Sequence, residues 1–174
     1  MKRICTLLMI GVLCLLGGQS VGAQEPQTPG PEQAELKALE GTWDAVMKMA
    51  DGSEVKGVAE YKMICEGMWL QSDFKSDFGG MKFHGRGLDS YDSASKKWNS
   101  IWVDSMSGSP MMLSGTKEGK KMVMTGEGPG PGGPAKYKTI TVNESADQMT
   151  FQMFMVADSG DTELMKVTYT RRKK

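Results

Sequence analysis

The stretch Phe83-His84-Gly85-Arg86-Gly87-Leu88-Asp89-Ser90-Tyr91-Asp92 is followed by the polar cluster Ser93-Ala94-Ser95 and then by Lys96-Lys97-Trp98-Asn99-Ser100-Ile101-Trp102-Val103-Asp104-Ser105. Two runs carrying aromatic and β-branched residues flank a short turn, which is the pattern of an antiparallel strand pair. If Tyr91 pairs with Trp98, Gly87 falls opposite Trp102 and Gly85 opposite Asp104. A pairing shifted by two positions sets Gly85 opposite Trp102 instead. Either register lets an indole lie over a glycine, recovering packing that glycine lacks in a strand. A one-residue slip would set Arg86 against Trp102 and His84 against Asp104, turning every side chain to the other face. The glycine registers are therefore expected, with Trp102 and Asp104 facing inward.

The same rhythm extends in both directions. From Thr42 onward, short runs rich in Trp, Val, Thr, Tyr, Phe and Met alternate with Gly, Asp, Ser and Asn clusters every 8 to 12 residues, the all-β signature. Strands are expected over 42–49, 55–65, 68–76, 81–91, 97–105, 111–116, 121–127, 136–142, 149–157 and 163–171. Asp51-Gly52, Glu66-Gly67, Gly79-Gly80, Glu118-Gly119 and Ser159-Gly160-Asp161 supply turns. No helical pattern of 10 to 15 residues separates the strands, so a parallel sheet is excluded and neighbours pair antiparallel. About ten strands leave exposed edges unless the sheet closes, and an up-and-down barrel closes it. A two-sheet β-sandwich satisfies the same periodicity and stays open as the alternative. Gly128-Pro129-Gly130-Pro131-Gly132-Gly133-Pro134 reads as an exposed loop, either a lid over a barrel mouth or an insertion. Cys65, in the run Tyr61 to Cys65, reads as a small buried strand residue.

Ahead of the strands the chain reads as three parts. Met1-Lys2-Arg3, the apolar run Ile4 to Leu16 and Val21-Gly22-Ala23 form a secretory signal over 1–23 with cleavage after Ala23. The apolar run is shorter than the roughly 20 residues a membrane span needs, and Leu13 before Cys14 argues against lipid attachment. The expected location is periplasmic or extracellular. Residues 24–35 form a flexible leader and helix start, with a short helix over Pro31 to Glu40. Residues 36–174 form one domain. Leu36 and Leu39 are placed to plug a barrel end or pack on a sheet.

Leu39-Glu40-Gly41-Thr42-Trp43, leading into an alternating strand, resembles the Gly-x-Trp start of lipocalin-like barrels. The run Phe83 to Asp92 with Lys96-Lys97-Trp98, Trp102-Val103-Asp104-Ser105, Gly41-Thr42-Trp43 and the ending at Tyr169 and Arg171 is similar to a secreted bacterial family called domain of unknown function 1579. The resemblance spans about residues 36 to 171. It implies a lipocalin-like, calycin-type barrel. That family has no assigned activity, so the resemblance brings no functional residues.

The chemistry-bearing residues narrow the function. Lys and Arg number 21 and Asp and Glu number 21. Without the first 23 residues the balance is 19 positive to 21 negative, which offers no basic stripe for nucleic acid. Gly-x-Ser-x-Gly, His-Glu-x-x-His and a phosphate-binding Gly-rich loop are absent from the sequence. Beyond the signal one Cys and one His remain, Cys65 and His84, too few for a zinc site. His84 reads as a surface or hydrogen-bonded strand residue, and no cofactor is expected. Methionine is the oddity, with 14 beyond the signal, among them Met47/Met49, Met122/Met124 and Met153/Met155, each two thioethers on one strand face. They suit an apolar lining or core; soft thioethers also suit Cu(I). The expectation is an exported barrel holding a small apolar or amphipathic ligand without catalysis. Trp43, Phe83, Trp102, Asp104, Phe151 and Met153 are the candidate cavity wall. A barrel filled by its own side chains is the alternative, and catalysis, haem or Cu(I) binding are minor ones.

Overall fold

The computed structural model describes residues 27–173, so the expected signal over 1–23 and its cleavage site lie outside the described residues. A short helix, α1 (Pro31–Lys37), precedes ten strands: β1 (Gly41–Met49), β2 (Glu54–Ile64), β3 (Trp69–Phe78), β4 (Met81–Asp92), β5 (Lys97–Asp104), β6 (Ser107–Glu118), β7 (Lys121–Gly130), β8 (Gly133–Ser145), β9 (Gln148–Ala157) and β10 (Gly160–Arg171). Each strand pairs antiparallel with its neighbours in sequence, and β10 pairs with β1 to close the barrel. Closure leaves no sheet edge, which rules out the sandwich alternative.

Alternation fixes the inside. Trp43, Ala45 and Met47 of β1 are buried while Asp44 and Lys48 are exposed, and the registers carry that parity around the ring. Trp43 stands opposite Ala59, Ala59 opposite Phe74, Phe74 opposite Gly85, and Gly85 opposite Asp104. Tyr91 pairs with Trp98 and Gly87 with Trp102, the first of the two glycine registers expected from the sequence. At Gly115 and Gly126 the neighbouring backbone comes so close that an added Cβ would sit 1.9 Å from a carbonyl oxygen of the next strand. These two glycines permit the close approach of the β6 and β7 backbones.

α1 covers one end of the barrel. The Gln33 Nε2 donates to the Tyr91 carbonyl (3.0 Å), and Leu36 packs with Leu70, Trp98 and Leu113. Leu36 therefore does plug a barrel end. The helix is one turn shorter than expected, ending at Lys37. Arg171 ties the same end together, donating to the carbonyls of Ala38, Glu40 (2.5 Å) and Ala146 (2.9 Å) while its guanidinium lies 4.2 Å from the centre of the Trp43 ring.

Two expectations are corrected. The segment 128–134 is not a loop: β7 and β8 keep pairing through Pro129 opposite Pro134 to Gly130 opposite Gly133, with Pro131-Gly132 at the tip. A two-residue hairpin closes on a hydrogen-bonded pair, so the next pair outward exchanges no hydrogen bonds and two prolines there break nothing. On their outer flanks β7 pairs with β6 only to Glu127 and β8 with β9 only from Lys136, so the missing N–H groups face no strand. Cys65 is not buried in a strand. It is exposed, with φ of 50°, in a turn of 3-10 helix over Cys65–Gly67.

Candidate functional site

Ten methionines point into the barrel or pack against its interior: Met47, Met49 and Met63, then Met111, Met122 and Met124, then Met149, Met153, Met155 and Met165. All three Met-x-Met pairs contribute both members. Flexible thioethers with aromatic rings make an adaptable apolar wall. Among the described residues no group of three or more His, Cys, Asp or Glu is placed to hold a metal ion.

The six residues singled out from sequence all belong to the inward face. Trp43 is fully buried, donates through Nε1 to the Leu39 carbonyl (2.9 Å) and meets Tyr61 edge-on. Phe83 packs edge-on against Phe74 and Phe78, at ring-centre distances of 6.0 and 5.6 Å. Trp102, Phe83 and Phe151 share the Trp43 cluster, whereas Met153 lies in the Leu36 cluster. Asp104 is committed to its own neighbours: one carboxylate oxygen accepts from the Trp102 Nε1 (2.9 Å) and the other from the Met106 N–H (2.8 Å). It fixes the indole rather than standing free.

The polar heart of the lumen lies elsewhere. Asp89 shares the parity of Gly85 and Gly87 and points inward from β4, opposite Ser100 of β5 and Leu70 of β3. Burial raises its carboxyl to about 6, offset in part by a hydrogen bond from the Ser100 hydroxyl. Tyr61 of β2 and Tyr169 of β10 reach toward it across the interior. Burial pushes the Tyr61 phenol well above its ordinary value, helped by the nearby Tyr169 and Asp89 charges and by its own hydrogen bond to Tyr169. The Tyr169 phenol is pushed up to about 12 by burial and the Asp89 charge, against the hydrogen bond it accepts from Tyr61. Four polar side chains from β2, β4, β5 and β10 thus face one another inside an apolar shell.

One signal in the sequence points to this group. The glycine register that turns Gly85 and Gly87 inward also turns Asp89 inward. What sequence does not supply is the closure that brings β10 across from β4.

The outer face has a separate polar group. Asp73 accepts from the Arg86 Nε (3.2 Å), lies 3.0 Å from the His84 Nε2 and pairs with Lys75 at 3.1 Å. Those hydrogen bonds, the one to His84 foremost, hold its carboxyl at about 2. His84 is outward and exposed, a hydrogen-bonded strand residue as expected. At the end opposite α1 a depression of about 340 Å³ lies between Met49 and Met165, edged by Lys48, Glu163 and Lys166. No described helix is long and apolar enough to cross a membrane.

The family described as "Protein of unknown function (DUF1579)" matches residues 28–171. The chain belongs to this family. No curated protein matches this DUF1579 sequence. Among solved structures, the barrel is similar to an S-type phycobiliprotein lyase from Guillardia theta, at 9% identity and a TM-score of 0.56, covering 84% of this chain and 99% of that one. It also matches a redesigned β-barrel at 14% identity and a TM-score of 0.48, covering 79% of this chain and 95% of the other. At such identity the likeness to the lyase shows a common β-barrel fold and no more.

Proposed function

We propose that this DUF1579 barrel holds a small apolar or amphipathic molecule in its lumen and performs no chemistry on it. The observation that carries the reading is Asp89, a carboxylate turned inward between Leu70 of β3 and Ser100 of β5 with no ion-pair partner among the described residues. A half-buried carboxylate with no cation beside it costs stability, and such a group in a native protein calls for an explanation. A few polar groups facing an apolar, aromatic-lined barrel interior match the composition of a small-molecule site. Trp43, Phe83, Trp102, Phe151 and Met153 supply the apolar wall on this reading, and Asp104 holds Trp102 in place.

Native mass spectrometry of the protein purified from its own host tests this. The expected result is one retained organic molecule per chain, released on denaturation. The near-complete burial of Trp43, Leu70 and Val167 favours a second reading, a barrel filled by its own side chains that serves a structural or interaction role. A bare mass with no uptake of added lipophiles would support that reading. The protein is also proposed to be exported to the periplasm or beyond, with the charged start and small-residue Val21-Gly22-Ala23 in support. Intact mass of the exported form should then begin at Gln24, and recovery of the full-length chain in the cytoplasm would contradict export.

A further inference from the structure

We infer that the lumen selects a ligand whose polar end is an amine or other cationic nitrogen group, received by Asp89, and discriminates against amphiphiles headed by a carboxylate. The inference rests on the small-molecule reading above and specifies the ligand's chemistry.

The distribution of charge on the inward face carries it. Following the strand registers around the barrel, the described inward positions hold two acids, Asp89 within β4 and Asp104 at the end of β5. The inward cations are Lys117 and Arg171, both at the end covered by α1. Lys117 is paired with Glu35 of the helix and lies over the Trp98 ring. Arg171 is spent on three carbonyls and on Asp147 at 3.4 Å. Neither is free to meet a carboxylate-headed ligand, and such a head would face two acids in a medium of low polarity.

Asp104 sits at the end of β5 with each oxygen already accepting one hydrogen bond, from Trp102 and from Met106, so a cation there would compete with these donors. Asp89 is the inward acid that lies within a strand, and no ion pair among the described residues includes it. The groups that face it are Tyr61 from β2, Leu70 from β3, Ser100 from β5 and Tyr169 from β10. None of these is a base. Two phenols that stay protonated beside it add hydrogen-bonding partners for a nitrogen head without competing positive charge. Methionine and aromatic side chains around them accept an alkyl or aryl tail of variable shape, and a cation close to Tyr rings gains further attraction.

The test is competition for a neutral fluorescent lipophile, Nile red, by dodecylamine, 1-dodecanol and dodecanoate below their micellar concentrations at pH 7.5. The amine is expected to displace the dye at least about tenfold more tightly than the carboxylate, with the alcohol between them. In Asp89→Asn the amine's advantage over the alcohol should vanish while the alcohol is unchanged. The same loss is expected in the unmodified protein as pH falls from 7.5 to 5, which protonates Asp89 and leaves the amine charged, so the test stands even if the variant misfolds. Dodecanoate binding as tightly as the amine, or an amine advantage that persists at pH 5, overturns the inference and leaves the small-molecule reading intact. Failure of Nile red and every competitor to bind removes both.

Discussion

The Trp102 indole occupies the space that a side chain at Gly85 would need: a Cβ added to Gly85 would sit 2.1 Å from the Trp102 Cζ2. The indole is held there by its Nε1 bond to Asp104, so it cannot swing aside without breaking a hydrogen bond. Gly85→Ala should therefore destabilise the barrel by about 1–3 kcal/mol, the range for forced overpacking. Chemical denaturation measures the loss. In a Trp102→Ala background the same substitution should cost far less, because the clash is gone. Equal costs in both backgrounds would show that the indole does not fill this space.

Asp89 makes the barrel less stable at neutral pH than it would be without the charge. Its folded-state value of about 6 lies above the ordinary 3.8, so between those values the folded chain binds more protons than the unfolded one, and stability rises as pH falls from about 6 to about 4. A shift of about two units corresponds to at most about 3 kcal/mol. Asp89→Asn should stabilise the ligand-free protein at pH 8 by up to that amount, less what the lost Ser100 bond costs. The two proteins should converge below about pH 4. An Asn variant less stable than the parent at pH 8 and equal to it at pH 4 would mean that the charged form is favoured by a partner.

The ten strands were legible because each is a run of apolar alternation punctuated by turn residues, and the register of β4 with β5 was legible because two glycines needed a large neighbour. The hairpin tip at 128–134 was not. Pro and Gly argue against a strand wherever a ladder must run on both sides, and only the staggered ends of β6 and β9 make these positions one-sided. Cys65 was misplaced by a single residue, because nothing local separates the last position of β2 from the first of a tight turn. The lumen cluster was half legible: parity turned Asp89 inward, but its meeting with Tyr61 and Tyr169 depends on contacts between strands far apart in sequence.

The outer Asp73 cluster behaves oppositely to Asp89. Its carboxyl is held at about 2, below the ordinary 3.8, so its stabilising contribution is present above about pH 4 and is lost as pH falls toward 2. The cluster is on the surface and screened, so Asp73→Asn should cost about 1 kcal/mol or less at pH 7 and nothing near pH 2. Carboxyl NMR titration should give midpoints near 2 for Asp73 and near 6 for Asp89. Overlapping midpoints near 4 would remove the electrostatic distinction between the outside and the lumen.

The proposed occupancy of the lumen is tested most directly by titrating the purified protein with a neutral lipophile while following tryptophan emission, in the parent and in Trp102→Phe. The expected result is saturable binding of one molecule per chain with a change in emission that largely disappears in Trp102→Phe. Absence of saturable binding, or a ligand affinity and an emission change both left intact by Trp102→Phe, would contradict a ligand seated against the Trp102 wall.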